Sequence, residues 1–135
     1  FDYILIDCPP SLELLTLNAL TVAHYLIIPV QAQFLAMRGM AKITNVVATV
    51  RERLNPALEI GGIVITQFDR RKTLNKSVAE LVKDAFCDKV FRTVIRDNVS
   101  LAEAPIKGKN IFEYNRNSNG AKDYMALAQE VLKLK

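Results

Sequence analysis

The sequence predicts an α/β protein, a mostly parallel sheet with helices on both faces. Three short unbroken apolar runs carry branched residues, Tyr3 to Ile6, Tyr25 to Val30 ("YLIIPV") and Ile60 to Thr66 ("IGGIVIT"), the pattern of strands buried on both sides. Segments of helical period lie between them. Strict strand and helix alternation then implies parallel strands joined by right-handed crossovers.

The first run ends at Asp7, and Pro9 and Pro10 stop the strand and stiffen the backbone as it leaves. Ser11 reads as the N-cap of the next helix, with Glu13 and Leu14 in its first turn. After Tyr25 to Val30, a helix starting near Leu35 carries Ile43, Val46, Val47, Val50 and Leu54 at helical spacing. Gly39 inside it costs roughly 1 kcal/mol relative to alanine, so a close approach is expected there. Following Ile60 to Thr66, Val78, Leu81, Val82, Ala85 and Phe86 mark the next helix, and Val90 to Ile95 a further strand. Leu101 to Ser118, with Pro105, Gly108 and several Asn, reads as mostly loop around a short helix. A last amphipathic helix from about Ala121 to Leu134 presents Tyr124, Ala128, Val131 and Leu132 on one stripe.

The 135 residues, 50% hydrophobic, suffice for a single domain spanning 1–135 with a real core. No apolar run reaches the length of a membrane span and no secretory leader opens the chain, so a soluble, cytoplasmic protein is expected. The start at Phe1, directly against a strand and without Met, suggests a piece of a longer protein. Cys8 and Cys87 lack the spacing of a metal knuckle or a disulfide framework and read as reduced, mostly buried thiols. His24, alone at a helix-to-strand handover, has no companion to make a metal ligand. Eighteen basic against fourteen acidic side chains leave +4, so placement matters more than the sum.

Ligands of parallel α/β sheets sit beyond the carboxyl ends of the strands, which is where Asp7 falls. One carboxylate held in a stiff turn is the usual protein contribution to a magnesium ion that keeps its waters beside a phosphate site. The alternative is that Asp7 only caps a neighbouring backbone group. Farther on, Arg70, Arg71, Lys72 and Lys76 against Asp69 give a local +3 in a loop leading to a helix. Such a cluster suits nucleic-acid phosphates, although most charge runs are solvated faces.

"FDYILIDCPPSLELLTLNAL" resembles the Walker B region of the ParA/Soj partition ATPases, of the deviant Walker A P-loop NTPase superfamily. Similarity continues in order through "IIPVQAQFLAMRGM", "LNPALEIGGIVITQFDRR", "KVFRTVI" and "NVSLAEAPIKGKNIFEYN", covering essentially the whole chain as the C-terminal part of such a domain. The resemblance implies a P-loop-type three-layer sandwich whose phosphate loop and catalytic aspartate lie upstream. No G-x-x-x-x-G-K-[ST] occurs in this sequence, so no catalytic residue is assigned within it and hydrolysis by this chain alone is not expected.

By the same resemblance, Asp7 orients a water on the nucleotide's magnesium, and Pro9 and Pro10 form the switch that senses the γ-phosphate. Thr66, Gln67, Arg96, Asp97 and Asn98 correspond to the adenine region, although "IRDN" stands where the family commonly has Ile-Pro-Arg-Asn, and Arg96 alternatively reads as a solvated surface residue. Arg70, Arg71, Lys72 and Lys76 correspond to the surface for non-specific DNA, with Ser100 in place of another frequent arginine. Ala36 and Gly39 match a family Ala-x-x-Gly beside the dimer surface, although plain packing against the sheet explains a helix glycine equally well, and Gln33 stands nearby where the family often has Glu. The implied cofactors are ATP and Mg²⁺ in the full-length protein, with none expected on this fragment. The implied partners are DNA without sequence preference, a ParB-like centromere-binding protein and a second copy, with no membrane, and the setting is the nucleoid.

In the family the strand entering the phosphate loop lies between the Walker B strand and the next one. Its removal leaves two edges unpaired, so a distorted or self-associated fragment is expected. Two other classes fit the α/β pattern less well. A receiver-like signalling module needs an acidic pair at an earlier strand end and a later lysine, neither of which is evident. A MinD-like membrane-cycling ATPase needs a basic amphipathic C-terminal helix. Here that helix has only Lys122, Lys133 and Lys135, and it reads as core packing.

Overall fold

The structure, a computed structural model, describes residues 1–9, 11, 13–33 and 36–134. Its elements run α1 (Leu14–Val22), β1 (Tyr25–Gln31), α2 (Ala36–Arg53), β2 (Glu59–Phe68), α3 (Thr73–Phe86), a 3₁₀ turn (Cys87–Lys89), β3 (Val90–Arg96), α4 (Val99–Ile106), α5 (Ile111–Asn115) and α6 (Asn119–Val131). The sheet has the order β1-β2-β3 with both pairings parallel, as the alternation of strands and helices predicts. Pro10, Leu35 and Lys135 lie outside the described residues.

Three layers follow from the pleat. On one face Ile28 and Val30 of β1 and Ile63 of β2 pack against Met40 of α2 and Val78 and Val82 of α3. The same layer extends to α1, whose Leu20 meets Val47, Val50 and Leu58. On the other face Val64, Phe91 and Ile95 meet Ile27, Leu101 of α4 and Leu127 and Val131 of α6. Ile63, Val64 and Ile65 are each at most 4% exposed, so β2 is covered on both sides. Each such side chain contributes about 1.5–3 kcal/mol of burial.

The pairing Leu26 with Ile60 and Ile27 with Gly62 leaves Gly61 as an extra residue on β2. This bulge lets Ile60 and Ile63 pack against the same cluster although their spacing is odd. Gly62 faces the opposite layer, where an added Cβ would lie 2.3 Å from the Phe91 ring.

The sheet's two edges are finished differently. At β3, two α6 carboxylates take the outward backbone donors. Glu130 accepts from the N–H groups of Arg92 (2.9 Å) and Thr93 (2.8 Å), and Asp123 accepts from the Arg96 N–H (3.0 Å). Burial pulls the Glu130 carboxyl upward, but its hydrogen bonds from Thr93 and Arg92 and the Arg92 charge outweigh that and hold it lower than usual. At β1, no strand among the described residues covers the outer edge, and a groove of about 250 Å³ lined by Ile28, Val30, Gln31, Gly39 and Met40 runs along it.

Several expectations are corrected. Tyr3 to Ile6 form no strand and are 51–86% exposed, because a strand needs a hydrogen-bonded neighbour and a cover, and the described residues supply neither. The N-cap of α1 is Glu13 rather than Ser11, whose carbonyl instead accepts from Thr16 Oγ1 at 2.7 Å. Residues 101–118 hold most of α4 and all of α5 rather than one short helix. Asn98 and the reciprocal Asn110–Glu113 pair cap those helices, and Gly108 turns between them at φ +63°. On α6, Tyr124, Ala128 and Leu132 are exposed, because Asp123, Leu127, Glu130 and Val131 face the sheet instead. Leu54 and Leu81 are likewise exposed, and Gly39 meets nothing within 4 Å of an added Cβ. Cys87 is exposed and Cys8 half-buried, both as free thiols.

Gly62→Ala should destabilise the fold by about 1–3 kcal/mol, since the clash is with a packed aromatic ring. Adding Phe91→Leu should recover part of the loss, read by denaturant unfolding. For Glu130 the folded carboxyl lies below its unfolded value, so its contribution is full above about pH 4–5 and is lost as pH falls through the folded value. Glu130→Gln should therefore lower the midpoint at neutral pH and flatten the acid limb of a stability-against-pH series. An acid limb identical to that of the parent would contradict the edge-capping role.

Candidate functional site

Parallel pairing brings three strand ends to one edge, and backbone hydrogen bonds fasten them together. Ala32 N–H donates to Thr66 O (3.2 Å) and Asp97 N–H to Phe68 O (3.2 Å). Asn75, buried in the first turns of α3, donates from Nδ2 to Ala32 O (2.6 Å) and accepts at Oδ1 from the Asp69 N–H (2.9 Å). One side chain thus ties the end of β1 to the loop after β2.

Gln67, next to the end of β2, is exposed with φ +51°, a left-handed conformation that a non-glycine residue adopts at a cost. Thr66 and Gln67 therefore share this ledge with Arg96, Asp97 and Asn98, as the sequence reading groups them. Asn98 is occupied as the α4 cap, its Oδ1 accepting from Ser100 N–H at 3.0 Å. Arg96 is corrected from a solvated side chain to a fork-to-fork pair with Asp123, Nη2 to Oδ1 at 2.6 Å and Nε to Oδ2 at 2.9 Å. The hydrogen bond to Asp123 pushes the guanidinium further up against an opposing effect of burial, so it stays charged.

The basic loop begins where the ledge ends. Arg70, Arg71, Lys72 and Lys76 are all exposed. Arg71 is engaged by Asp69, with Nε to Oδ1 at 3.1 Å and Nη2 to Oδ2 at 3.0 Å, and its own backbone N–H also donates to Oδ1 at 2.9 Å. Hydrogen bonding from the Arg71 side chain first, then from its backbone, holds the Asp69 carboxyl down at about 2.

Asp7 and Pro9 lie in the extended, exposed segment before α1, outside the sheet. Thr16 Oγ1 reaches back to the carbonyls of Ser11 (2.7 Å) and Pro9 (3.5 Å), fixing the corner against α1. Among the described residues no group of three or more His, Cys, Asp or Glu could hold a metal ion. His24 contributes only its carbonyl, accepting from Glu59 N–H at 2.9 Å.

Two residues of this region escape a reading by residue type. Asn75 stands three and seven positions before the buried Val78 and Val82, and Asp123 four before Leu127. A polar side chain in phase with a buried stripe is the signal that finds both.

A family model described as an AAA domain matches residues 1–60. The chain is 49% identical over 97% of its length to the sporulation initiation inhibitor protein Soj of Bacillus subtilis, covering 52% of that protein. It is 44% identical over 98% of its length to the chromosome partitioning protein ParA of Caulobacter vibrioides, covering 49%. Among solved structures, cobyrinic acid a,c-diamide synthase of Mycobacterium smegmatis with a bound ATP analogue and magnesium superposes with a TM-score of 0.77 at 33% identity, over 94% of this chain and 46% of that one. The cell division ATPase MinD of Pyrococcus furiosus superposes with a TM-score of 0.78 at 26% identity, over 100% and 53%. No helix among the described residues is long and apolar enough to cross a membrane. The chain spans about half the length of the curated relatives it matches, and along nearly all of its own length it is homologous to the chromosome-partitioning proteins Soj and ParA.

Proposed function

We propose that this chain is the C-terminal portion of a cytoplasmic, nucleoid-associated partition ATPase that dimerises with ATP and binds DNA without reading its sequence. The observation that carries the reading is the ledge itself. Asn75 ties the end of β1 to the loop after β2, the Asp97 N–H joins the end of β3 to Phe68, Gln67 stands among them in a left-handed conformation, and a basic loop continues directly from the edge. Phosphate loops of this fold class lie at that same end of the sheet.

In this reading Asp7 stands beside a magnesium ion that keeps its waters and takes phosphate oxygens, a role that asks one carboxylate of the protein. The exposed Asp7 fits such a shared role and not a metal site of its own. Magnesium supplies charge neutralisation at the transferred phosphate. The chain's own contribution is to hold that carboxylate in the segment that Thr16 fastens at Pro9 and Ser11, and to offer Thr66, Gln67, Asp97, Asn98 and the Arg96 backbone as the wall for the base. A ParB-like protein is the expected partner, and a second copy is expected near Ala36 and Gly39.

In the complete protein Asp7→Ala should lower magnesium-dependent ATP turnover by at least about a hundredfold, the scale of losing a positioned electrostatic group. Retained turnover would refute the magnesium assignment. Filter binding with ATP present should show Arg71→Glu weakening all DNA sequences alike, because phosphate contacts carry no sequence information. Unchanged affinity would remove the loop from the interface.

The MinD likeness supports a second reading, reversible membrane attachment. Tyr124, Met125 and Leu132 are exposed on α6, but Leu127 and Val131 of the same helix are packed on the sheet. Co-sedimentation with anionic liposomes separates the two readings.

A further inference from the structure

We propose that Asp69 is a fixed internal counter-ion that masks Arg71, so that a nucleic-acid phosphate must displace it to gain the full charge of the loop. The inference rests on the DNA reading above and adds to it a residue that sets affinity and salt sensitivity.

The geometry differs from that of an ordinary surface ion pair. Both carboxylate oxygens of Asp69 are used, Oδ1 by Nε and the backbone N–H of Arg71 and Oδ2 by Nη2, with distances of 2.9–3.1 Å. The two side chains are also unequal, Arg71 being 90% exposed and Asp69 only 14%. The anion is anchored on the protein side while the cation reaches into solvent.

Asp69 is held by its neighbours. Its N–H is bound by Asn75 Oδ1, its carbonyl accepts from Lys72 N–H at 3.1 Å, and Asn75 is itself fastened to Ala32 O at the end of β1. These bonds fix the Asp69 backbone beside Arg71. With the pair closed, the cations of this loop that are offered outward without a bound carboxylate are Arg70, Lys72 and Lys76.

An exposed ion pair is weak in water, so a polyanion presenting several phosphates can open it. The Nε and Nη2 edge that Asp69 occupies is also the edge that binds phosphate in bidentate fashion. Carboxylate and phosphate therefore compete for the same donors. Because Asp69 is strapped to the sheet end by Asn75, the strength of the mask is coupled to the ledge where β1 and β2 finish.

The test is a salt titration of duplex DNA binding by fluorescence anisotropy, on the full-length protein with ATP and magnesium, for the parent, Asp69→Asn, Arg71→Ala and the double variant. Asp69→Asn should bind roughly three- to tenfold tighter, with a slope of log K against log salt steeper by about one. In the Arg71→Ala background the same change should give a clearly smaller gain, since the pair no longer exists to be opened. Asp69→Ser should give the same sign, which guards against a folding defect peculiar to one variant. If the parent binds and Arg71→Ala weakens it, but Asp69→Asn and Asp69→Ser bind no tighter, the mask is refuted while the DNA reading stands. If no variant binds DNA at low salt, both are refuted.

Discussion

Every layer of this molecule is attached to β2. It is the strand hydrogen-bonded on both edges and covered on both faces, and it places Ile63 against α2 and α3 and Val64 against α4 and α6 within two consecutive residues. Its buried stretch, Gly62 to Ile65, holds no polar side chain and tolerates no slip of register, because a shift of one residue would exchange the two layers. The Gly61–Gly62 pair meets both demands at once. Gly61 absorbs the extra residue of the bulge, and Gly62 leaves the space that the Phe91 ring fills.

The outer strands show two opposite solutions to an exposed edge. At β3, carboxylates of α6 take the place of a neighbouring strand, which satisfies the backbone donors and puts negative charge where another strand would have to pair. At β1 the edge borders an apolar groove, and the apolar run Tyr3 to Ile6 is exposed in the same chain. Among the described residues neither that edge nor that segment is paired with another strand.

The strand ends that make up the candidate site depend on the sheet. Their relative positions come from the parallel register, and Asn75 locks β1 to the loop after β2 by using both ends of one buried amide. Because the same loop carries Asp69 and Arg71, the basic surface inherits its orientation from the sheet rather than from local loop preference. Arg96 is treated in the reverse way, its charge drawn back onto α6 by Asp123 and away from the open side.

The sequence by itself determined the α/β class, the three strands that pair, the helices between them and the homology to Soj and ParA, because each rests on local periodicity or on an ordered series of motifs. Thr66 and Gln67, in the last residues of β2, and Asp97 and Asn98, just past β3, are grouped in the sequence by the family resemblance alone, and parallel pairing sets both pairs at one end of the sheet. Only the tertiary structure decided what depends on a neighbour distant in the chain. Tyr3 to Ile6 has the composition of a strand and remains unpaired, since pairing is a property of two segments. The inward face of α6 was misread because Asp123 and Glu130 look solvent-facing until the unpaired donors of β3 are set beside them. Asn75 and Asp69 gained their roles likewise, from partners brought within hydrogen-bonding distance by folding.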